Sequence, residues 1–251
     1  MREGLISIIT PAYQIKTFFK ETFDCVIAQT YKDWQWIICE DASLDGSYEF
    51  ISDLIKGHDN IILLKNEVNS GSAKSRNRAL RRAEGQYIAF IDADDLWKES
   101  FLEEQLQFLK DTNSRLVYSS YYRLAEKSNT IFHVKRKNTY KSLLYTCDIS
   151  PSTVLYNTEQ YGVFYFRENL VKREDYAYWL SMLKKFPYCY GNRKALASVR
   201  IIKTSKTYDK KKLWKYQYHI YRNVEKLSRF ASFWYTLSWS IHGVFKYLFV
   251  K

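Results

Sequence analysis

Residues 86–97 read Q-Y-I-A-F-I-D-A-D-D-L-W, an apolar run that stops at three carboxylates, Asp92, Asp94 and Asp95. A short apolar run bounded by a charged turn predicts a buried strand that ends at a sheet edge. Carboxylates this close repel one another unless a cation sits among them. Hard divalent ions, Mg²⁺ or Mn²⁺, take such oxygen ligands and often carry a nucleotide diphosphate as well. A lone D-x-D also has a blander reading, a solvated acidic turn capping a helix that starts near Lys98. The surrounding chain decides between the two.

The same pattern recurs upstream. Leu5–Thr10 predicts a first buried strand, closed by Pro11-Ala12-Tyr13, and Phe18–Ala28 has helical periodicity. Trp34–Asp41 predicts a second strand ending in Glu40 and Asp41, and the turn 41–47 leads into a helix through Lys56. Asn60–Leu64 is a third strand. Asn69-Ser70-Gly71-Ser72 then opens a basic helix, Ala73–Ala83. A helix from about Glu99 to Leu109 and a segment Arg115–Tyr121 follow the 86–91 strand. Strand and helix alternating in this way predict a parallel sheet with helices on both faces. Ligands of such sheets bind beyond the carboxyl ends of the strands, where Pro11–Tyr13, Asp41 and Asp92–Asp95 all fall.

The 251 residues, 46% of them hydrophobic, suffice for one large domain or a domain with an appendage. Net charge is +12, and from Lys203 to Lys251 eleven Lys/Arg face two Asp/Glu. Such a surplus suits a polyanion or an anionic membrane surface. Cys25, Cys39, Cys147 and Cys189 show no C-x-x-C spacing, which argues against zinc and a disulfide framework and for reduced cytosolic thiols. Leu5–Ile9 is too short for a signal peptide. G-S-A-K-S at 71–75 lacks the spacing of a phosphate loop.

Four segments in order resemble the family 2 glycosyltransferases of GT-A fold: S-I-I-T-P-A-Y at 7–13, E-D-A-S-L-D-G-S at 40–47, N-S-G-S-A-K-S-R-N at 69–77 and D-A-D-D-L-W at 92–97. I-S-P-S-T-V-L-Y at 149–156 and R-E-D-Y-A-Y-W-L at 173–180 extend the resemblance over roughly residues 5–200. The tail is similar to that of bacterial members that make capsule, O-antigen or teichuronic-acid polymers. The resemblance implies a Rossmann-like, mostly parallel sheet. It also implies a catalytic domain over 1–204 (1–112 for the nucleotide sugar, 113–204 for the acceptor) and a basic aromatic helical tail over 205–251.

It further implies roles residue by residue. Pro11, Ala12 and Tyr13 would line a uracil pocket, with Tyr13 packed on the base; core packing is the alternative for Tyr13. Asp41 would accept a hydrogen bond from uracil N3–H, against a helix N-cap or Asx-turn. Asp45 shapes that turn. Asn69 and Gly71 would shape the loop near the base, and Arg76 would approach the nucleotide, against a solvated helix face shared with Lys74, Arg78, Arg81 and Arg82. Asp92 and Ala93 would meet the nucleotide, Asp92 through ribose or metal-bound water. Asp94 would ligate the Mn²⁺ or Mg²⁺ that bridges the diphosphate.

Residues 115–165 are less legible; Lys135-Arg136-Lys137 suggests an exposed basic loop and Ser150–Tyr156 a strand. Glu174-Asp175 opens an amphipathic helix, Tyr176–Lys184, with Trp179, Leu180 and Leu183 facing inward. Acidic residues there complement the helix dipole, yet the pair resembles the family's E-D motif. That makes Asp175 the expected catalytic base, with Glu174 second. The acceptor hydroxyl would then displace the nucleoside diphosphate in line, inverting the anomeric configuration. Many relatives carry a histidine two residues after an arginine near 200; here the run is R-I-I-K. Arg200 and Lys203 are therefore expected to help the metal by meeting the diphosphate.

Lys210–Arg229 predicts a basic, Tyr-rich helix. On the helix that follows, Phe230, Trp234, Leu237, Ile241, Phe245 and Leu248 share one face, with Ser232, Thr236, Ser240 and His242 opposite. About 20 such residues could span a bilayer, but Lys246, His242 and the polar stripe make a span costly. An interfacial anchor fits better; packing on the domain or in a homo-oligomer is the alternative. The function expected is an inverting, metal-dependent transferase that moves a sugar from a UDP-sugar to a glycan, lipid-linked, at the cytoplasmic face of a bacterial membrane. Two rivals are a nucleic-acid or polyanion binder, for which no nucleic-acid motif appears, and a sugar nucleotidyltransferase, whose Gly-rich phosphate loop is missing after Thr10.

Overall fold

Strands β1 (Arg2–Ala12), β2 (Trp34–Glu40), β3 (Ile61–Lys65) and β4 (Gly85–Phe90) form a parallel group in the order β3-β2-β1-β4. They are seen in a computed structural model that describes residues 1–125, 128–201 and 210–248. Parallel neighbours need long crossovers, supplied here by helices α1 (Phe19–Ile27), α2 (Ser47–Leu54) and α3 (Ser72–Leu80). Alternation along the strands feeds two cores. Ile9, Ile37, Ile88 and Phe90 face α3, whereas Ile8, Trp36, Ile38 and Ala89 face α1 and α2.

The second half adds antiparallel strands to this mostly parallel sheet. It contains β5 (Leu96–Trp97), α4 (Phe101–Asp111), β6 (Leu116–Ala125), β7 (Ser128–Phe132), β8 (Lys137–Asn138), α5 (Tyr140–Tyr145), β9 (Val154–Asn157), α6 (Glu174–Leu183) and β10 (Cys189–Arg200). β9 inserts antiparallel between β4 and β6, β10 runs parallel to β6, and β5 lies antiparallel on β10. β7 begins three positions after β6 ends, too close for a helical crossover, so that pair is antiparallel. The strand expected from Ser150 starts only at Val154. Pro151–Thr153 form a 3-10 turn instead, with proline at its first position where no N–H is needed.

Trp179, Leu180 and Leu183 of α6 are buried as the periodicity predicts, and Phe90 lies edge-on to Phe166, Tyr178 and Trp179. Lys135, Arg136 and Lys137 are exposed, and all four cysteines are free thiols.

The tail departs from expectation in its first helix, and it shows which face of its second helix packs. Its first helix, α7 (Lys210–His219), ends early in a π-helical turn, Ile220–Val224, before α8 (Arg229–Leu248). Glu225 pins that break, accepting from Tyr140 at 2.5 Å and pairing with Lys184 at 2.7 Å. The polar stripe of α8 packs inward. Ser232 and Thr236 are fully buried, while Phe230 (80% exposed), Phe233, Trp234, Leu237 and Ile241 face outward. Small hydroxyl residues permit close approach, and their donors are satisfied within the helix: Thr236 donates to the Ser232 carbonyl at 2.6 Å and Ser240 to the Thr236 carbonyl at 2.9 Å. The side chains of Phe245 and Leu248 lie outside the described residues.

Candidate active site

From β1 the chain winds outward to β2 and β3, then returns to place β4 on β1's other edge. Strand order reverses at the carboxyl ends of β1 and β4, the point where open α/β sheets open a crevice. A cavity of about 400 Å³ lies there. Of the residues singled out from sequence, Pro11, Ala12, Tyr13, Asp41, Asn69, Arg76, Asp92, Ala93, Asp94, Glu174 and Asp175 all line it.

Tyr13 is 42% exposed at its rim, which excludes core packing and leaves a ring face free for stacking. Asp41 is buried and caps no helix; the residue before α2 is Gly46, and Asp45 shapes that turn by accepting from the Ser47 N–H and hydroxyl. Asp41 instead latches the loop before α3. Its Oδ1 accepts from Asn66 Nδ2 at 2.7 Å and the Ser70 N–H at 2.9 Å, and its Oδ2 from the Gly71 N–H at 2.8 Å. A carboxylate has about four acceptor positions, so one remains for a ligand. Gly71 is absent from the lining, but its backbone (φ 86°, ψ 160°) is open essentially to glycine alone, and that conformation aims its N–H at Asp41.

Three residues without glycine's freedom hold left-handed backbone beside the site: Gln14 (φ 53°) after Tyr13, Ala42 (φ 56°) after Asp41 and Arg173 (φ 66°) before Glu174. Such conformations persist only where the surroundings over-determine them. The Gln14 N–H donates to Ser43 Oγ at 2.9 Å and the Ser43 N–H to Glu40 Oε1 at 2.7 Å, so the turns after β1 and β2 brace each other.

On the acidic turn the three carboxylates have separate surroundings. Asp92 Oδ1 lies 2.6 Å from Arg76 Nη2. Arg76 is buried rather than on a solvated face, and carboxylates on two sides hold its charge: Asp92, and Glu174 at 4.0 Å. Among the described residues Asp94 makes no such ion pair, and the Arg200 charge behind the turn offsets its charge in part. Burial first, and the neighbouring Asp92 second, push its pKa up to about 6. Asp95 is buried away from the cavity, and burial followed by the charges of Asp92 and Asp94 drives its pKa up as well. It is structural: Oδ2 accepts from Ser152 Oγ at 2.5 Å, and Oδ1 from the Arg200 N–H at 2.9 Å.

Arg200 therefore sits behind the turn, a correction to its expected place at a diphosphate. It does not line the cavity. Its Nε donates to the Asp94 carbonyl at 3.0 Å, its Nη2 to Glu21 at 3.2 Å, and its guanidinium covers Phe18. Lys203 and Ile202 lie outside the described residues.

Across the cavity, α6 starts at Glu174. Glu174 Oε1 accepts from Ser72 Oγ at 2.6 Å and faces Arg76, so its carboxylate is held. Among the described residues Asp175 Oδ1 accepts from the N–H of the next residue, Tyr176, at 2.7 Å. The tail builds this edge too. Leu213 of α7 lines the cavity, and Arg173 donates from Nε to Gln217 at 2.8 Å while stacking between Tyr176 and Trp239.

The donor set fits a divalent ion that the substrate helps to ligate. Asp94, half-buried with a raised pKa, is a carboxylate in want of a cation, and Asp92 stands beside it. Among the described residues no group of three His, Cys, Asp or Glu could cage a metal; one or two carboxylates plus phosphate oxygens suffice to hold Mg²⁺.

Sequence reading missed Ser152, which accepts from the Asp92 N–H at 3.0 Å, donates to Asp95 and accepts through its carbonyl from Trp97 at 2.6 Å. The S-P-S-T run carried no signal for this beyond its polarity within an apolar stretch. Arg173, Lys172 and Leu213 also line the cavity and were not singled out from the sequence.

The sequence profile of Glycosyl transferase family 2 matches residues 7–177. The chain is 33% identical over 247 residues to a Bacillus subtilis (strain 168) protein named as a teichuronic acid biosynthesis glycosyltransferase, TuaG, covering 97% of this chain and 98% of that one. It is 32% identical over 257 residues to the Escherichia coli UDP-Glc:alpha-D-GlcNAc-diphosphoundecaprenol beta-1,3-glucosyltransferase WfgD, covering 99% and 97%. Among solved structures, S. aureus TarS 1-349 in complex with UDP-GlcNAc superposes with a TM-score of 0.71 at 19% identity, over 90% of this chain and 69% of that one. That likeness shows the GT-A fold.

Proposed function

The chain belongs to Glycosyl transferase family 2, and from that membership we propose that it transfers a sugar, with inversion, from a UDP-sugar to a lipid-linked glycan in bacterial surface-polysaccharide assembly. One observation carries the reading. An exposed tyrosine beside a buried acceptor (Tyr13, Asp41), a carboxylate with a raised pKa (Asp94) and a second carboxylate at the start of α6 (Asp175) converge on one cavity at the strand-order reversal.

Tyr13 packs on the base, and Asp41 accepts from its N3–H through the remaining Oδ2 position. Arg76 holds Asp92 in place against the repulsion of Asp94. Asp94, with Asp92, holds Mn²⁺ or Mg²⁺. Bound there, the ion supplies positive charge to the leaving diphosphate. Asp175 takes the proton of the acceptor hydroxyl as that oxygen bonds to the anomeric carbon. The bond to the diphosphate oxygen breaks on the opposite face, and no covalent enzyme intermediate is needed.

Association with the inner face of the membrane is part of the proposal, and α8 supports a membrane-surface contact. Its outward stripe is apolar and aromatic, exposed Lys226 and Arg229 stand at its start, and among the described residues no helix is long and apolar enough to cross a membrane. Such a helix lies in the interface, drawn by anionic lipid.

The deciding experiment is thermal stability with UDP, GDP, CDP or AMP, each with and without Mn²⁺. A ligand at about 100 times its dissociation constant adds roughly 2.7 kcal/mol, a shift of about 5–10 °C at this length. A metal-dependent shift with UDP that is lost in Asp94→Ala supports the reading. Absence of a shift with every nucleotide refutes it and favours a polyanion binder.

A further inference from the structure

Asn66 follows β3 directly and does not line the cavity, yet it touches a carboxylate that does, Asp41. It is buried, and its N–H extends the β2–β3 ladder by donating to the Glu40 carbonyl at 2.8 Å. Its side-chain amide is used in full. Nδ2 donates to Asp41 Oδ1 at 2.7 Å and to Ser75 Oγ at 3.0 Å. Oδ1 accepts from Arg78 Nη1 at 2.7 Å and from the Cys39 thiol at 3.6 Å. An amide carries two donors and two acceptor positions, so none is left over. These partners also fix which way round the amide stands. Arginine has donors only, and Arg78 is anchored by a second bond from Nη1 to the Lys65 carbonyl at 2.7 Å. Burial pushes the Cys39 pKa up to about 11, so the thiol keeps the proton it donates. An amide turned over would point its NH₂ at two donors and its oxygen at a carboxylate.

We propose that Asn66, locked by Arg78, is the positioning residue through which the site selects its nucleobase, an inference that rests on the transferase reading above. Asn66 acts through Asp41 and touches no ligand itself. Asp41 Oδ1 is filled by Asn66 and the Ser70 N–H, and one Oδ2 position by the Gly71 N–H. All three partners donate, and together they fix the rotation of the carboxylate. What remains is one acceptor position at one place. A base that meets it must bring a donor to that place, as uracil does with its N3–H and guanine with its N1–H. Cytosine presents a lone pair at N3, and two acceptors facing each other leave both unpaired. Its donor stands one position along, on the exocyclic nitrogen at C4. A carboxylate able to swing takes either pyrimidine; one held by three bonds takes uracil. Of the three partners, Asn66 is the one side chain, and Arg78 is what orients it.

The test is calorimetric binding of UDP, GDP and CDP to the full chain with Mn²⁺. The wild type is expected to bind UDP or GDP about 10–100-fold more tightly than CDP, the range of one hydrogen bond to a charged group. Asn66→Ala is expected to cut that ratio about tenfold, with CDP binding kept. Arg78 is exposed, so its variants leave the core alone. Arg78→Glu sets an acceptor against the amide oxygen, turns the amide over and should lower the ratio in the same way. Arg78→Lys keeps a donor there and should restore most of it. A purely structural role lowers all affinities together; a ratio unchanged in Asn66→Ala therefore overturns the proposal. A wild type that binds UDP and CDP alike also overturns it. Should Asn66→Ala fail to fold, the Arg78 variants decide, and Arg78→Glu with the wild-type ratio overturns the role of Asn66. A wild type that binds none of the three sinks the transferase reading itself, and the inference with it.

Discussion

The Arg76 guanidinium meets the Asp92 carboxylate at 2.6 Å with the arginine side chain only 6% exposed, and Glu174 stands 4.0 Å away on its other side. One buried cation thus joins the acidic turn after β4 to the start of α6, two edges of the cavity.

Removing that cation leaves two carboxylates facing each other without compensation. Arg76→Ala is expected to destabilise the fold by about 3–5 kcal/mol, the usual consequence of breaking a buried pair from one side. Arg76→Lys should recover only part, because a point charge cannot reach both carboxylates as a fork does. Urea denaturation measures both; a loss below about 1 kcal/mol in Arg76→Ala would show that the pair does not hold the edges together.

Asp94 gives the site a pH dependence. Its folded pKa, about 6, is above the 3.8 of the free group, so the native state favours the protonated form. Stability from this group is highest below about pH 4, falls as pH rises through 4–6, and stays reduced above 6. Asp94→Asn, which removes the penalty, should stabilise the ligand-free protein at pH 7.5 by about 1 kcal/mol after allowance for solvent screening. Metal-promoted UDP binding should weaken below pH 6 as protons compete for the carboxylate. Calorimetric titration from pH 5 to 8 checks this, and flat affinity across that range would remove Asp94 from the metal site.

Asp175 and Glu174 should fail differently. Asp175→Asn is expected to lower kcat by about 10²–10⁴-fold with UDP binding retained. Glu174→Gln loses the charge opposite Arg76, so thermal stability should fall along with activity. Full turnover in Asp175→Asn would move the base elsewhere.

The outward stripe of α8 makes a prediction about partition. Trp234→Glu with Leu237→Glu should abolish sedimentation with phosphatidylglycerol vesicles and leave the melting midpoint nearly unchanged, since both side chains are exposed. Ser232→Leu, on the buried face, should instead cost about 1–3 kcal/mol by overpacking. Vesicle binding unaffected by the glutamates would exclude the stripe as an anchor, and their conversion of a dimer to a monomer would mark it as a protomer contact.

Sequence alone carried the strand ends, because local rules govern them: an apolar run closed by Asp41 or by Asp92–Asp95 can only surface at the edge of a sheet buried on both faces. It also carried much of the cavity wall, since Pro11–Tyr13, Asp41 and Asp92–Asp94 sit beside such ends. It did not carry the use made of each charge. Asp94 and Asp95 are adjacent and chemically identical, yet one faces the cavity and the other is buried against Ser152 and the Arg200 backbone. Arg200 looked like a phosphate ligand and is a brace; Ser232 and Thr236 read only as the polar side of a helix and are a packing face. Periodicity reports that a helix has two unlike faces. Only the tertiary structure decides which one is buried, because that depends on whether the neighbouring surface leaves room for small side chains whose hydroxyls already bond within the helix.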